Sequence, residues 1–168
     1  MQHTDALVTD VPGITLMTKH ADCASLFFYN PKMHTIAIAH AGWKGTLAHI
    51  GRKTVEVLVN EYHCQPRHIV TAIGPSIGPC CYQISSAMAD EAIKQFPGAQ
   101  KYIRETQGGA LYFNLRHANK KQLQDAGIKD THLYCSRLCT ACNANLFFSY
   151  RKEEKITGRF GALIGLLK

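Results

Sequence analysis

The sequence has 168 residues, of which 46% are hydrophobic and 18% charged, the balance of a chain that folds around a core and not of a disordered one. The formal net charge is +7, but the 19 Lys and Arg residues are scattered, so we expect no nucleic-acid partner. No apolar run approaches the ~20 residues that span a bilayer, and the N-terminus lacks a signal-peptide pattern. These features predict a cytoplasmic protein without a membrane partner.

Strand patterns dominate the first half of the chain. β-branched and aromatic residues alternate with short turn-forming segments that contain Pro and Gly, as expected of paired strands. A run of apolar residues at near-helical spacing then indicates an amphipathic helix. In chain order we predict two extended segments around Val11-Pro12-Gly13, an antiparallel hairpin of 25–29 and 35–39 around Pro31-Lys32, and a helix from Gly45 to about Tyr62.

The second half of the chain mixes helical and extended patterns. Ser85 or Ser86 can cap a helix, and Gly127 can end another. Because helices and strands do not alternate regularly, their order favours an α+β fold. We predict a strand and a Gly/Pro-rich loop within 68–84, helices at 85–96 and 116–126, strands at 110–115, 131–135 and 159–167, and an extended segment at 143–151.

Cys23 and His40 end two consecutive apolar runs. If Pro31-Lys32 forms the middle of the hairpin, Cys23 lies directly opposite His40, with Cβ atoms ~4.5–5.5 Å apart. A thiolate and an imidazole at that distance can share one metal ion or one proton. A packing thiol and a capping histidine are the alternative, and a register slip of one or two residues would separate the pair.

Four motifs follow one another along residues 21–159: ADC, HAGWKG, IGPSIGPCCYQI and FFSYR followed by TGR. With these motifs the chain resembles the YfiH/laccase-domain family, also called peptidoglycan editing factor. The resemblance implies one domain over residues 1–168, folded as a four-layer α/β/β/α sandwich with mixed sheets. It also implies a mononuclear zinc site in which Cys23 and His40 are ligands, with Cu²⁺ as the alternative ion.

The resemblance further implies an enzyme that acts on purine nucleosides. The implied reactions are phosphorolysis of adenosine, inosine and methylthioadenosine to free base and ribose 1-phosphate, and deamination of adenosine. Zinc held by thiolate and imidazole activates water near neutral pH, whereas phosphorolysis needs cations that hold phosphate. We expect Lys44 and Arg151 to bind the phosphate or the nucleoside; solvated surface charges are the alternative for both.

A histidine ligand expected from the family's QVHG-like motif is missing from the sequence. We therefore expect a segment of the family's N-terminus to be absent. His3 and His20 are the nearby substitutes, but His20 lies three residues from Cys23 and on the opposite face of an extended strand, which makes it a poor ligand. We expect the chain to bind zinc weakly, to turn over nucleosides slowly, and either to self-associate as a homo-oligomer or to be unstable alone.

Three other functions would use residues of the same region. Cys23 could be the nucleophile of a cysteine hydrolase with His40 as its base, and a single copper ion could give slow, laccase-like oxidation of polyphenols. A multicopper centre is not expected, because the nine histidines include no His-x-His pair. The non-enzymatic alternative is a module that binds nucleosides or cell-wall fragments.

The other cysteines give weaker signals. The odd total of seven indicates free thiols or a metal site and not a disulfide framework. Cys139 and Cys142 have the C-x₂-C spacing of half a zinc ribbon. We expect no structural zinc there, because the adjacent Cys80 and Cys81 do not form a second pair with that spacing, and we interpret Cys80 and Cys81 as packing thiols.

Overall fold

Residues 4–167 are the part of the chain that the computed structural model describes. Their strands are β1 Ala6–Thr9, β2 Thr15–His20, β3 Ala24–Asn30, β4 Thr35–Ala41, β5 Val70–Ile73, β6 Gln83–Ile84, β7 Ile103–Glu105, β8 Leu111–Phe113, β9 Leu133–Cys135 and β10 Phe160–Gly165. Their helices are α1 Trp43–Leu47, α2 Ile50–Asn60, α3 Ser86–Gln95 and α4 Leu115–Asp125, with short 3₁₀ turns at Pro66–His68, Ala99–Tyr102 and Asp130–His132.

The largest sheet has five strands in the order β1-β4-β3-β5-β9. Its neighbours pair antiparallel except β5 and β9, which run parallel, so the sheet is mixed. The central strands β3 and β4 are apolar and almost wholly buried along their length. A strand with this continuous apolar pattern needs cover on both faces of its sheet.

That cover comes from different elements on the two faces. The two-stranded sheet of β2 and β10 packs on one face of β4, where Ile36 and Ile38 meet Leu16, Ala162 and Leu166. Helices α2 and α4 lie in the larger core on the other side, where α2 packs against β4 and α4 packs against α2 and β9. Helices, five-stranded sheet and two-stranded sheet therefore stack as α, β and β layers of the predicted sandwich.

The hairpin of β3 and β4 is antiparallel as predicted, but its register differs from the prediction. Ser25 pairs with His40 and Asn30 pairs with Thr35, so Cys23 does not face His40 across the ladder. The turn is longer than the predicted Pro31-Lys32 pair because the Asn30 side chain accepts hydrogen bonds from the main-chain N–H groups of the two residues after Pro31. His34 then closes the turn in a left-handed conformation, with φ of 47°.

The predicted helix from Gly45 to Tyr62 is two helices. His49 adopts a left-handed conformation, with φ of 56°, between α1 and α2. This conformation ends one helix and lets the next begin in a new direction. Periodicity did not reveal the break because the apolar residues on both sides of it face the same core.

The predicted extended segment 143–151 is also wrong, since it folds as a series of turns. The main-chain N–H groups of Leu146 and Phe147 both donate to the carbonyl oxygen of Asn143, which curls the chain locally. The remaining predicted elements are confirmed: Ser85 caps α3 by accepting a hydrogen bond from the N–H of Met88, and the strand ending at Gly165 pairs with β2. No helix of residues 4–167 is long and apolar enough to cross a membrane.

Candidate active site

Cys23 and His40 approach one another beside Gly42, although they do not pair across the hairpin. A Cβ atom placed on Gly42 would lie 2.7 Å from Cys23 Sγ and 3.8 Å from His40 Cε1. Gly42 therefore leaves a space that both functional atoms border. Cys23 precedes β3 and His40 belongs to β4, so the hairpin brings them together from adjacent strand ends.

The His40 ring is oriented by Asp5. His40 Nδ1 lies 3.3 Å from Asp5 Oδ1, and the main-chain N–H of His40 donates to the Asp5 carbonyl oxygen over 2.7 Å. When Nδ1 carries the proton and donates to this carboxylate, Nε2 keeps its lone pair. A carboxylate behind a histidine in this way is the arrangement that fixes metal-ligating imidazoles.

His20 lies next to His40 but already uses both of its ring nitrogens. Its Nε2 is 2.7 Å from Thr18 Oγ1, its Nδ1 is 3.2 Å from the Cys23 carbonyl oxygen, and the ring is buried. Burial, with the nearby His40 charge as a second cause, lowers the pKa of His20 to about 4. His20 is thus a neutral structural residue beneath the site. His3, the other substitute ligand, lies outside the described residues.

Cys23 opens onto a small pocket of about 110 Å³. Trp43, Tyr82, Tyr150 and Arg151 line the pocket with it, so its walls combine aromatic rings with one cationic side chain. The Trp43 ring packs edge-on against Phe113 and Tyr82, with ring centroids 5.0 and 6.4 Å apart. His40 borders a wider open groove of about 420 Å³ on the other side of the site.

Arg151 is held at the pocket by two kinds of contact. Its guanidinium donates to the carbonyl oxygens of Gln83 at 2.9 Å and Cys81 at 3.4 Å. The guanidinium carbon also lies 5.5 Å from the centroid of the Tyr82 ring. A guanidinium has five N–H donors, so donors remain for an anionic group in the pocket.

Asp22 joins three segments of the site through its buried carboxylate. Thr140 Oγ1 donates to Oδ1 over 2.6 Å, and the main-chain N–H of Arg151 donates to Oδ2 over 2.7 Å. Asp22 itself has a left-handed backbone, with φ of 79°, which turns the chain sharply between β2 and β3. The aspartate thus fixes Cys23 and Arg151 relative to each other.

Burial raises the pKa of the Cys23 thiol to about 11, and the Asp22 carboxylate adds to the increase. The positive charge of Arg159 acts in the opposite direction but does not cancel these effects. The free thiol is therefore protonated at neutral pH. A metal ion would reverse this balance, because a coordinating thiol loses its proton.

The structure brings together three of the four predicted site residues. Cys23 and Arg151 line the pocket and His40 lies beside Cys23 at Gly42, whereas Lys44 is exposed on the first turn of α1 and is not part of the pocket lining that the structure describes within 4–167. Phosphate binding by Lys44 stays a prediction.

Sequence reasoning missed Asp5, Asp22, Trp43 and Tyr82 as site residues. Asp22 and Trp43 lie within the ADC and HAGWKG motifs, so the motifs could have indicated these two as site residues. Asp5 meets a partner 35 residues away, and Asp22 meets partners 118 and 129 residues away. Such contacts depend on how the sheets pack and are not encoded in local spacing.

A second group of reactive side chains lies apart from the Cys23–His40 pair. The sulfur atoms of Cys80, Cys81, Cys139 and Cys142 all lie within 4.8 Å of one another, and we call these residues the four-cysteine cluster. The expectation that Cys80 and Cys81 cannot complement the C-x₂-C pair is therefore wrong. Among residues 4–167, the structure gathers three or more ligand side chains of the His, Cys, Asp and Glu types at this cluster alone.

The thiols of the cluster differ in acidity. Burial raises the pKa of Cys139, but hydrogen bonds, first from the Gly78 N–H, outweigh it and hold the pKa at about 7. Burial and the Cys142 side chain raise the pKa of Cys81 far above its usual range. The lowered pKa of Cys139 favours its thiolate, which is the form of cysteine that binds metals.

The fold and the site together define an α+β protein in which a histidine lies next to a cysteine that lines a pocket with aromatic walls. Residues 1–167 match the family model described as "Multi-copper polyphenol oxidoreductase laccase". The chain belongs to this family of laccase-like proteins, which confirms the resemblance drawn from the four motifs. A metal-binding function fits the family and the presence of a cluster that could hold an ion.

Several characterised proteins are similar to the chain. "Purine nucleoside phosphorylase YlmD" of Geobacillus stearothermophilus is 39% identical over 162 residues, which cover 96% of this chain and 59% of the relative. "Adenosine deaminase RL5" of an unknown prokaryotic organism is 30% identical over 164 residues, 95% of this chain and 61% of the relative. The chain thus spans about three fifths of the length of these relatives.

The solved structures agree with the sequence comparisons. The crystal structure of YlmD from Geobacillus stearothermophilus superimposes with a TM-score of 0.91 and 38% sequence identity, covering 98% of this chain and 61% of that chain. This match confirms the predicted α+β sandwich fold with mixed sheets.

Proposed function

We propose that the protein is a zinc-dependent purine nucleoside enzyme that cleaves the glycosidic bond with phosphate and also deaminates adenosine. One observation carries the proposal: Cys23 and Arg151 line the same aromatic pocket, while His40 faces Cys23 across Gly42. The names of the similar proteins, purine nucleoside phosphorylase and adenosine deaminase, support the same substrate class.

The pocket suits the purine part of the substrate. Trp43, Tyr82 and Tyr150 offer ring faces and edges, and Ile77 and Leu115 add apolar surface, as expected for a planar base. The volume of about 110 Å³ is below the ~300–1,000 Å³ of a whole small-molecule site. The base would therefore occupy the pocket, with the ribose and phosphate extending past its rim, where Arg151 lies.

Arg151 is the residue that we assign to the phosphate. Guanidinium groups bind phosphate oxygens through two parallel N–H donors, and the contacts to Gln83 and Cys81 hold this guanidinium at the pocket rim. In phosphorolysis a phosphate oxygen bonds to C1′ of the ribose while the bond from C1′ to N9 breaks. The electron pair stays on N9, which takes the proton that the hydrogen phosphate loses, so the products are the free base and ribose 1-phosphate.

Cys23 and His40 supply two of the three protein ligands that a catalytic zinc site normally has. A thiol and an imidazole are ligands that zinc prefers, Asp5 leaves His40 Nε2 as the acceptor, and the missing side chain of Gly42 leaves room between the two groups. When bound, zinc would act as a Lewis acid that polarises a substrate or water oxygen. The chain's own contribution is to orient His40 through Asp5.

The alternative functions receive less support. A cysteine hydrolase needs an activated thiolate nucleophile, but burial raises the pKa of Cys23 to about 11. A multicopper oxidase needs groups of histidines, and the group of three or more ligand side chains that the structure gathers in residues 4–167 contains cysteines alone.

The test is an assay of the zinc-loaded chain with inosine and adenosine, with and without phosphate. We expect ribose 1-phosphate that depends on phosphate, and loss of at least about 100-fold in rate for Cys23→Ser and His40→Ala, since one transition-state contact is typically worth that factor. Arg151→Gln should raise the KM for phosphate.

Arg104→Gln is the matched control for Arg151→Gln. Arg104 also stacks on a tyrosine ring, with its guanidinium carbon 5.0 Å from the centroid of Tyr112, but it lies away from Cys23. The control should keep the phosphate KM of the parent chain. Turnover that is independent of phosphate and of zinc, or unchanged in Cys23→Ser, would contradict the proposal.

A further inference from the structure

The four-cysteine cluster has the dimensions of a tetrahedral metal site. With zinc–sulfur bonds of ~2.3 Å, the sulfurs of a tetrahedral site lie about 3.8 Å apart. Here Cys142 Sγ is 3.6 Å from Cys80 Sγ and 3.4 Å from Cys81 Sγ, and no pair of the four sulfurs exceeds 4.8 Å. The four sulfurs therefore surround a common centre without any large rearrangement.

Two distant segments supply the ligands in pairs. Cys80 and Cys81 lie in the loop between β5 and β6, whereas Cys139 and Cys142 lie in the turns after β9. The segments are joined by a parallel bridge between Ser76 and Cys139, and by a hydrogen bond from the Thr140 N–H to the Ser76 carbonyl oxygen. The main chain thus holds the two cysteine pairs in position independently of the sulfurs.

The surroundings of the cluster are those of a metal–thiolate centre. The Gly78 N–H donates to Cys139 Sγ over 3.1 Å, a contact that stabilises negative charge on sulfur. A Cβ on Gly78 would lie 3.1 Å from Cys80 Sγ and 3.0 Å from an Arg116 guanidinium nitrogen. The loop therefore packs closely on the sulfurs and places a positive charge beside them.

We propose that Cys80, Cys81, Cys139 and Cys142 bind one zinc ion in a structural site that is separate from the Cys23–His40 pair. Four thiolates complete the coordination of zinc and leave no position for a substrate, as in closed structural sites. Binding releases the protons of the thiols to solvent and leaves a Zn(Cys)₄ centre of charge −2, which Arg116 partly balances.

The zinc ion would stabilise the wall of the Cys23 pocket. Tyr82 follows Cys81 directly and stacks under Arg151, and the Cys81 carbonyl oxygen accepts a hydrogen bond from Arg151. On the other segment, Thr140 lies between two ligands and donates to Asp22. The metal therefore ties together the two segments that position Arg151, without touching the substrate itself.

The experiment measures zinc in a chain that lacks the first site. We expect the Cys23→Ser/His40→Ala chain, purified under reducing conditions, to hold one zinc per molecule by native mass spectrometry and elemental analysis. Cobalt substitution should give the intense thiolate-to-cobalt charge-transfer absorption of a sulfur-rich site. Adding Cys142→Ser should weaken zinc binding by at least about 100-fold, since each ligand carries roughly a quarter of the binding free energy.

Two variants keep the result interpretable. Cys135→Ser removes an exposed cysteine on β9 whose sulfur contacts the Ser136 carbonyl oxygen and lies outside the cluster, and it should leave zinc content unchanged. Cys142→His retains a zinc ligand and should restore zinc content and melting temperature if Cys142→Ser folds poorly.

Two outcomes would overturn the proposal. One is a reduced Cys23→Ser/His40→Ala chain that takes up no zinc on titration. The other is zinc content that is equal in the presence and absence of Cys142→Ser. A mass 2 Da lower that returns on reduction, without zinc uptake afterwards, would instead indicate a disulfide in place of the zinc site. None of these readouts depends on nucleoside turnover, so the zinc proposal and the proposed enzyme activity stand or fall separately.

Discussion

At the scale of single residues, the candidate site depends on Gly42, which has no side chain. Gly42 has a backbone conformation that any residue can adopt, with φ of −78° and ψ of −168°, so flexibility is not the reason for a glycine here. The reason is space, because the Cys23 sulfur and the His40 ring both border the position where a Cβ would stand.

We expect Gly42→Ala to damage the site. The added methyl would lie 2.7 Å from Cys23 Sγ, a contact that forces the sulfur or the strand end to move, at a cost of about 1–3 kcal/mol in the free energy of unfolding. Urea denaturation measures this change, and zinc titration measures the loss of affinity at the Cys23–His40 pair.

Gly108→Ala is the matched control, because a Cβ on Gly108 would meet no atom within 4 Å. Its stability should differ little from that of the parent chain. Equal stability and equal zinc affinity for Gly42→Ala and Gly108→Ala would show that the space beside Gly42 is not needed.

At the scale of elements, the site is assembled where the turn between β2 and β3 meets the turns after β9. The Asp22 carboxylate makes this connection through Thr140 and through the main-chain N–H of Arg151. Both bonds involve a charged acceptor in a buried position, which makes them stronger than bonds between neutral groups. The orientation of Arg151 is thus set by an element more than a hundred residues away in the chain.

Asp22→Asn tests this connection without changing the backbone, since asparagine also tolerates a left-handed conformation. The asparagine oxygen can accept from only one of the two groups that donate to Asp22, the Thr140 hydroxyl and the Arg151 main-chain N–H. The NH₂ group then faces the other donor. The buried unpaired donor should lower the free energy of unfolding by about 1–3 kcal/mol. Urea denaturation checks the value, with the exposed Asp10→Asn as the control expected to show no comparable loss. If Asp22→Asn and Asp10→Asn lower the free energy of unfolding equally, Asp22 does not connect the two segments in this way.

At the scale of the whole molecule, stability should depend on pH through His20. The folded chain holds the pKa of His20 at about 4, below the ordinary value of 6.5, chiefly because the ring is buried. Between these two values the unfolded chain binds a proton that the folded chain does not. Acidification from pH 6.5 towards pH 4 therefore favours unfolding, and stability rises with pH across this window.

The corresponding experiment follows the urea midpoint of the metal-free chain from pH 7.5 to pH 4.5. We expect the midpoint to fall less steeply for His20→Gln, which has no group that titrates in this range, than for the parent chain. His63→Asn, at an exposed position, should retain the parent slope. A His20→Gln slope as steep as that of the parent would show that other groups govern the acid sensitivity.

The sequence alone predicted the fold class, most of the strands and two of the helices, because apolar periodicity and turn-forming residues act locally. It did not predict the hairpin register, since the Asn30 side chain and the left-handed His34 lengthen the turn by two residues. The break at His49 was hidden for a similar reason, because a left-handed histidine leaves no mark on periodicity.

The candidate site was predictable in part. Cys23, His40 and Arg151 were marked by motifs, whereas Asp5 and Asp22 act on partners that only the packed sheets bring near. The four-cysteine cluster was missed because a zinc ribbon was expected to have two C-x₂-C pairs, and the sequence contains one. Its second pair is adjacent in sequence, and it becomes complementary only when the Ser76–Cys139 bridge aligns the two segments.

Trp43 gives the molecule an optical property that follows from its place in the pocket. It is the one tryptophan of the sequence, and its indole lies beside Cys23 with Tyr82 and Phe113 against it. The intrinsic tryptophan fluorescence of this protein therefore originates at the pocket wall. The emission wavelength and intensity change when a ligand displaces water from the pocket. Binding at the pocket can therefore be followed in solution without an attached label.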